Sequence, residues 1–270
     1  MAIGFHSVVI DVADLTVGVR DFARLLGIAP IAAPDPAQAA RGATFGLSNM
    51  CLELRSSVGS ASLEPPGPLT PPSRPQAPIA GLPVSGQQGI AGLRFTCSPS
   101  PGPTQSPGRI ASPTVPIELV AERGAPEPIP AFPEEAAVPR VLGLDHVVVA
   151  TRDPERARRF FGEALGIRLA LDRSFPERGL RLLFFRLGGI TIEVASTLAE
   201  QSSEPGQDVF HGLAWKVAGI DALHARLRDE GFGVSEIRTG HKPGTRVCSL
   251  REAVHGVPTL LIEHPPREDW

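Results

Sequence analysis

Tyrosine is absent from this chain of 270 residues, and aromatic residues make up only 5% of it. No phenol therefore takes part in whatever site the chain carries. Cysteine is scarce as well. Cys51, Cys97 and Cys248 are odd in number and far apart. That pattern excludes a disulfide frame or a cysteine-rich zinc site and suits buried thiols in a reducing compartment. No apolar run reaches the about 18 residues that a membrane-spanning helix needs. The opening "MAIGFHSVVIDVAD" lacks the basic region, long apolar stretch and cleavage site of a signal peptide, so a cytoplasmic protein is expected. Charge of one sign is also missing: the net charge of −3 argues against nucleic acid or an acidic membrane as partner. What remains is a small-molecule ligand and a monomer or homodimer.

Proline, by contrast, is plentiful and uneven. Nineteen of the 29 prolines lie between Pro65 and Pro139, where regular structure is hard to sustain. The expected organisation is an N-terminal domain over 1–122 with a proline-rich insertion at about 57–87. A proline-rich linker follows over 123–140, then a C-terminal domain over 141–270.

The two halves repeat. "FHSVVIDVADLTVGVRDFARLLGI" (5–28) matches "DHVVVATRDPERARRFFGEALGI" (145–167), so that His6 falls on His146 and Glu53 on Glu193. A domain-sized internal repeat points to duplication. Within each unit an alternating strand is followed by a helix. In the second half Asp153 supplies the N-cap, Pro154 the first helical position and Gly166 the stop. Three short strands complete a βαβββ unit. A further unit begins at "FHGLAWKVAG" (210–219) with its helix at about 220–230. The remaining unit is reduced: 19 residues separate Cys97 from Ile117, against 44 between Val217 and Ile262. The fold class expected is α+β, built of tandem βαβββ modules forming two curved mixed sheets, the N-terminal one degenerate.

Four apolar strands each carry one glutamate: "CLEL" (51–54), "PIELV" (116–120), "TIEVA" (191–195) and "TLLIEH" (259–264). A lone carboxylate in a buried strand is costly unless something pairs with it. Alternation sets His146 opposite Val147, and Glu193 opposite Ile192 and Val194. It likewise sets His211 opposite Phe210 and Gly212, and Glu263 opposite Leu260 and Ile262. His146, Glu193, His211 and Glu263 are thus expected on one face of a curved sheet. Two imidazoles and two carboxylates suit a divalent ion such as nickel, zinc, cobalt, manganese or iron(II). The ion's charge would compensate both glutamates.

With those residues in place, the chain resembles the vicinal oxygen chelate superfamily, the glyoxalase, bleomycin-resistance and extradiol-dioxygenase group. The resemblance covers about 5–56 and 143–265, and 88–122 more weakly. It implies paired βαβββ modules in which the first-strand His and last-strand Glu of each module bind the metal, a pattern similar to bacterial glyoxalase I. Ala91 stands where His211 would have its counterpart, so the first half is expected to be a metal-free pseudo-domain. If the first unit pairs with the fourth instead, His6 and Glu53 would complete a swapped site with His211 and Glu263.

The resemblance implies a metal-dependent enzyme that isomerises, epimerises or cleaves a small substrate with neighbouring oxygens through an enediolate, with Glu193 or Glu263 as the base. Two alternatives stand beside it. His146, His211 and Glu263 would make a triad for an iron(II) extradiol-type dioxygenase, although the tyrosine of that group's signature is missing. A non-catalytic small-molecule binding or resistance protein is the other. Lys242, Arg246 and His241, on "GHKPGTRV", are candidates for substrate binding. His264 should point away from Glu263's face and is a poor ligand candidate.

Overall fold

The computed structural model describes residues 3–31, 42–57, 88–97, 108–121, 139–199 and 208–265. The expected insertion at 57–87 and linker at 123–140 lie almost wholly outside them. The first half forms β1 (Ile3–Val12), α1 (Leu15–Leu26), β2 (Gly42–Gly46), β3 (Cys51–Ser56), β4 (Gly89–Cys97), β5 (Gly108–Arg109) and β6 (Ile117–Ala121). The second half opens with β7 (Val141–Ala150) and α2 (Pro154–Ala157, continuing in π-helical turns over Arg158–Ala164). Then come β8 (Arg168–Phe175), β9 (Leu180–Leu187), β10 (Ile190–Thr197) and β11 (Val209–Val217). It ends with α3 (Ile220–Asp229), β12 (Arg238–Thr239), β13 (Arg246–Ser249) and β14 (Thr259–Glu263).

Two mixed sheets result, in the orders β2-β3-β1-β4-β6-β5 and β12-β13-β14-β11-β7-β10-β9-β8. β1 runs antiparallel to β4, and β7 antiparallel to β11. The units therefore pair in chain order. The swapped site is corrected by this topology: His6 on β1 and Glu53 on β3 lie in the sheet of β4 and β6, and His211 and Glu263 lie in the other sheet.

Local chemistry explains the elements. Asp14 accepts a hydrogen bond from Val17 N at 3.0 Å and starts α1, and Gly27 ends it at φ 72°, a left-handed conformation that favours glycine. Phe22, Leu25 and Leu26 of that helix are fully buried, each worth roughly 1.5–3 kcal/mol in transfer from water. Asp153 does the same for α2, accepting from Arg156 N at 2.8 Å with Pro154 at the first position. Along β10, Ile190, Ile192 and Val194 face the helices in the main core and leave Glu193 on the other side. That core runs through both halves.

Two sets of contacts join the halves. The turn Ser48–Asn49 hooks the start of β7: Ser48 N donates to Leu142 O at 3.0 Å, and the Asn49 side chain bonds both Leu144 N and Leu144 O. Gly143 makes this approach possible, since a Cβ there would meet Asn49 Oδ1 at 2.5 Å. At the other contact, Arg226 of α3 donates to Arg24 O, Leu25 O and Pro139 O and to the Glu230 carboxylate. It thereby satisfies the last carbonyls of α1, and Arg24 answers by donating to Glu230 O at the end of α3.

Removing that guanidinium strands several acceptors at once. Arg226→Ala is expected to lower the unfolding free energy by about 3 kcal/mol, read as the shift of a urea midpoint. Arg226→Lys should recover less than half of the loss, because an ammonium cannot fork between carbonyls.

Candidate functional site

The registers locate equivalent positions in the four units. On β7 and β10, His146 lies beside Thr191, two residues before Glu193. On β11 and β14, Leu213 pairs with Thr259 and its N–H donates to Pro258 O. Gly212 thus stands beside Pro258 as His146 stands beside Thr191, and Leu260 takes the place of Glu193. In the first sheet Ser7 lies beside Cys51, two before Glu53, and Gly92 beside Pro116, two before Glu118. The four equivalent pairs are Ser7 with Glu53, Gly92 with Glu118, His146 with Glu193, and Gly212 with Leu260. One of the four is a His–Glu pair.

Two β-bulges complicate the faces. Leu144 and His146 are matched to consecutive residues of β11, which leaves Asp145 as the extra residue. In β1 the extra residue is His6. His6 therefore corresponds to Asp145, and Ser7 to His146, a shift of one from the simple alignment. A bulge re-aims its side chain, and Asp145 turns to the same side as His146.

There it makes two strong contacts. Asp145 Oδ1 lies 2.8 Å from His146 Nδ1, and Asp145 Oδ2 lies 2.5 Å from His264 Nε2. Burial alone would raise the Asp145 pKa. The hydrogen bonds and positive fields of His146 and His264 outweigh burial and hold it at about 2. With Nδ1 anchored, His146 presents Nε2 to Glu193 Oε2 at 3.8 Å. Burial raises the Glu193 pKa, and the nearby Asp145 charge adds to this. His146, His241 and His211 oppose it, without cancelling the rise.

His211 is the extra residue of another bulge, between Phe210 and Gly212. Phe210 and Gly212 consequently do not share a face: Phe210 packs on the main core, whereas Gly212 pairs with Val148 on the open side. The Nδ1 of His211 is buried and has no hydrogen-bond partner among the described residues.

Glu263 is not in this group. Its Oε1 accepts from Ile220 N at 3.0 Å, capping α3, whose own N-cap position is Gly219. Its Oε2 lies 3.4 Å from Arg246. Leu261, on the same side of β14, is fully buried in the main core, while Leu260 and Ile262 pack with Ala214 and Val247 on the open face. The expected faces of β14 are therefore reversed: Glu263 turns to the helix, and His264 turns to Asp145. Sequence reasoning passed over Asp145, and it set His264 aside as a poor ligand without giving it a partner.

The expected anion site is also corrected. Arg246 is held by both oxygens of Asp221 at 2.6 Å. His241 lies against Arg178, and Lys242 is on an exposed turn. In the N-terminal half, Arg94 bonds both Glu53 and Glu118, and Ser7 donates to Glu53 at 2.5 Å. A guanidinium supplies the positive charge there.

The donors do not fit the four-ligand divalent centre implied by the resemblance. His146 and Glu193 face Gly212 and Leu260 where a second pair would stand. Among the described residues no three His, Cys, Asp or Glu side chains are grouped to hold an ion. A side chain at 212 is barred by geometry, since its Cβ would lie 2.7 Å from Pro258 O.

Because Asp145 is ionised more readily in the fold than its usual value of 3.8, it contributes stability above about pH 4. The contribution is about 2 kcal/mol and is lost as pH falls through about 2. Asp145→Asn should lose that amount at neutral pH and flatten the acid limb of a stability–pH curve. Glu193 has the opposite sign. Its raised pKa makes the ionised form a burden above the unfolded value, so Glu193→Gln should raise the melting temperature at pH 7.

Residues 145–248 match the model of the glyoxalase/bleomycin resistance protein/dioxygenase superfamily. The chain is 31% identical over 101 residues to mouse mitochondrial methylmalonyl-CoA epimerase, covering 36% of this chain and 57% of that protein. It is 27% identical over 131 residues to ethylmalonyl-CoA/methylmalonyl-CoA epimerase of Cereibacter sphaeroides, covering 45% of this chain and 87% of that one. The crystal structure of methylmalonyl-CoA epimerase from Mycobacterium tuberculosis aligns at 25% identity and a TM-score of 0.39, over 47% of this chain and 90% of that one. The first of these matches spans the stretch from β7 into β13, and that stretch is similar to the glyoxalase/bleomycin resistance protein/dioxygenase superfamily.

Proposed function

We propose that the C-terminal half moves a proton at the carbon next to a thioester carbonyl, an epimerase or isomerase reaction on an acyl-CoA ester. Glu193 is the acid–base group. The observation that carries this reading is a buried carboxyl of raised proton affinity, set 3.8 Å from an imidazole that Asp145 anchors. A carboxyl of that kind can both take and return a proton under mild conditions. The names of the two epimerase relatives support the substrate class.

Glu193 removes the proton, and the electron pair of the C–H bond moves into the thioester to form an enolate. His146, as an imidazolium whose Nδ1–H donates to Asp145, offers Nε2–H to the enolate oxygen. A proton is then delivered to the carbon and the carbonyl re-forms. Metal-chelated glyoxalase chemistry and the dioxygenase triad both need Glu263 beside His146 and His211, and Glu263 caps α3 instead. A second reading, binding without turnover, draws on Gly212 and Leu260 at the places of the missing donors.

The test uses one enantiomer of methylmalonyl-CoA with the purified chain, followed by chiral chromatography. Inversion is expected, and Glu193→Gln should slow it by about 100-fold or more. Since the ionised carboxylate does the work, the rate should fall as pH drops through a value above the ordinary glutamate value of 4.5. Tight binding with no inversion would favour the binder.

A further inference from the structure

Inverting a carbon centre requires a proton delivered to the face opposite the one it left. Glu193 reaches that carbon from one side only. We propose that His211 is the second acid–base group, set across β7 from Glu193, in the epimerisation proposed above, on which this inference rests.

The sheet order β11-β7-β10 puts the strands of His211 and Glu193 on the two sides of β7. Two strand spacings amount to about 10 Å. Two inward-reaching side chains narrow that span to what a substrate carbon needs, with about 3–3.5 Å to each reacting atom. The bulge makes His211 the unpaired residue between the Phe210–Val149 and Gly212–Val148 pairs. Its direction is thus freed from the alternation that governs its neighbours.

The environment of His211 differs from that of the other histidines of the site. His146 and His264 are both engaged by Asp145, and His241 is exposed against Arg178. His211 is partly buried, and its Nδ1 has no hydrogen-bond partner among the described residues. Leaving such a group unpaired is unfavourable, and a substrate proton or oxygen would relieve it. Gly212 keeps the strand bare beside it, because the Pro258 carbonyl admits no side chain there. The charge of His211 is felt at Glu193, which places the two within one electrostatic neighbourhood.

The step balances without any added reagent. The Glu193 carboxylate takes the proton from the α carbon, and the bonding pair becomes the enolate. The His211 imidazolium gives its N–H proton to the opposite face of that carbon, and the thioester carbonyl re-forms. Glu193 is left protonated and His211 neutral. Turnover of the other enantiomer, or exchange with solvent, restores the starting state.

Each enantiomer of methylmalonyl-CoA is incubated in D2O with wild type, His211→Gln, His211→Asn and Glu193→Gln, and an enzyme-free blank is subtracted. Deuterium at the α carbon and configuration are read separately, and folding is checked by thermal melting. Wild type should invert and deuterate both enantiomers. The two His211 variants should lose inversion by about 100-fold or more yet still deuterate one enantiomer, and Glu193→Gln should deuterate the other one only. His211 variants that fold and invert at the wild-type rate overturn the assignment while leaving the epimerase reading intact. Loss of exchange on both enantiomers in folded His211 variants also overturns it, since that is a structural defect rather than the removal of one base. Wild type that neither inverts nor exchanges overturns the epimerase reading and this inference together.

Discussion

A carboxyl group placed among apolar neighbours in a strand must meet a donor or give up its charge. This protein meets that requirement in three ways. Glu53 and Glu118 share Arg94, a cation supplied by the chain itself. Glu263 turns to the helix side, where the N-terminus of α3 and Arg246 receive it. Glu193 has neither a guanidinium nor a helix end. Among the described residues its nearest cation is an imidazole beyond hydrogen-bond length, and its affinity for a proton rises. The residue left least satisfied is the one to which chemistry can be assigned.

The α+β fold was legible in the sequence because each of its cues is local. Asp14 and Asp153 as caps, Gly27 and Gly166 as stops, and the alternating Val147 and Val149 fix a strand and a helix at the head of both halves. The damaged second unit was also visible from its spacing: between β4 and β6 the described residues hold only the two-residue β5. The one partnership that spacing left open, chain order or swapped, depends on which strand edges meet, and no short stretch of sequence encodes that.

The site was legible in part. His146 and Glu193 were found by alternation and do stand together. Asp145 was passed over and His211 was assigned wrong surroundings because each is a bulge residue, and one extra residue inverts the parity on which alternation depends. On β14 the run Leu260–Leu261–Ile262 is apolar on both faces, so hydrophobicity could not say which side Glu263 takes. A better signal existed. Aligning the fully buried Val147 and Val149 with Leu213 and Trp215, rather than histidine with histidine, sets Gly212 against His146. The same alignment applied to Val8 and Ile10 sets Ser7 there.

The hook made by Ser48 and Asn49 gives a use to a half whose own equivalent positions, Ser7 and Gly92, carry no histidine. β7 carries the Asp145–His146 pair, and its first residues bond to backbone and side-chain groups from the other half. Drift could therefore erase the first half's own donors at little harm. It could not erase the turn without freeing one end of the strand that aims the imidazole. On this view the worn copy serves as a splint, retained for how it holds its neighbour and not for anything it binds.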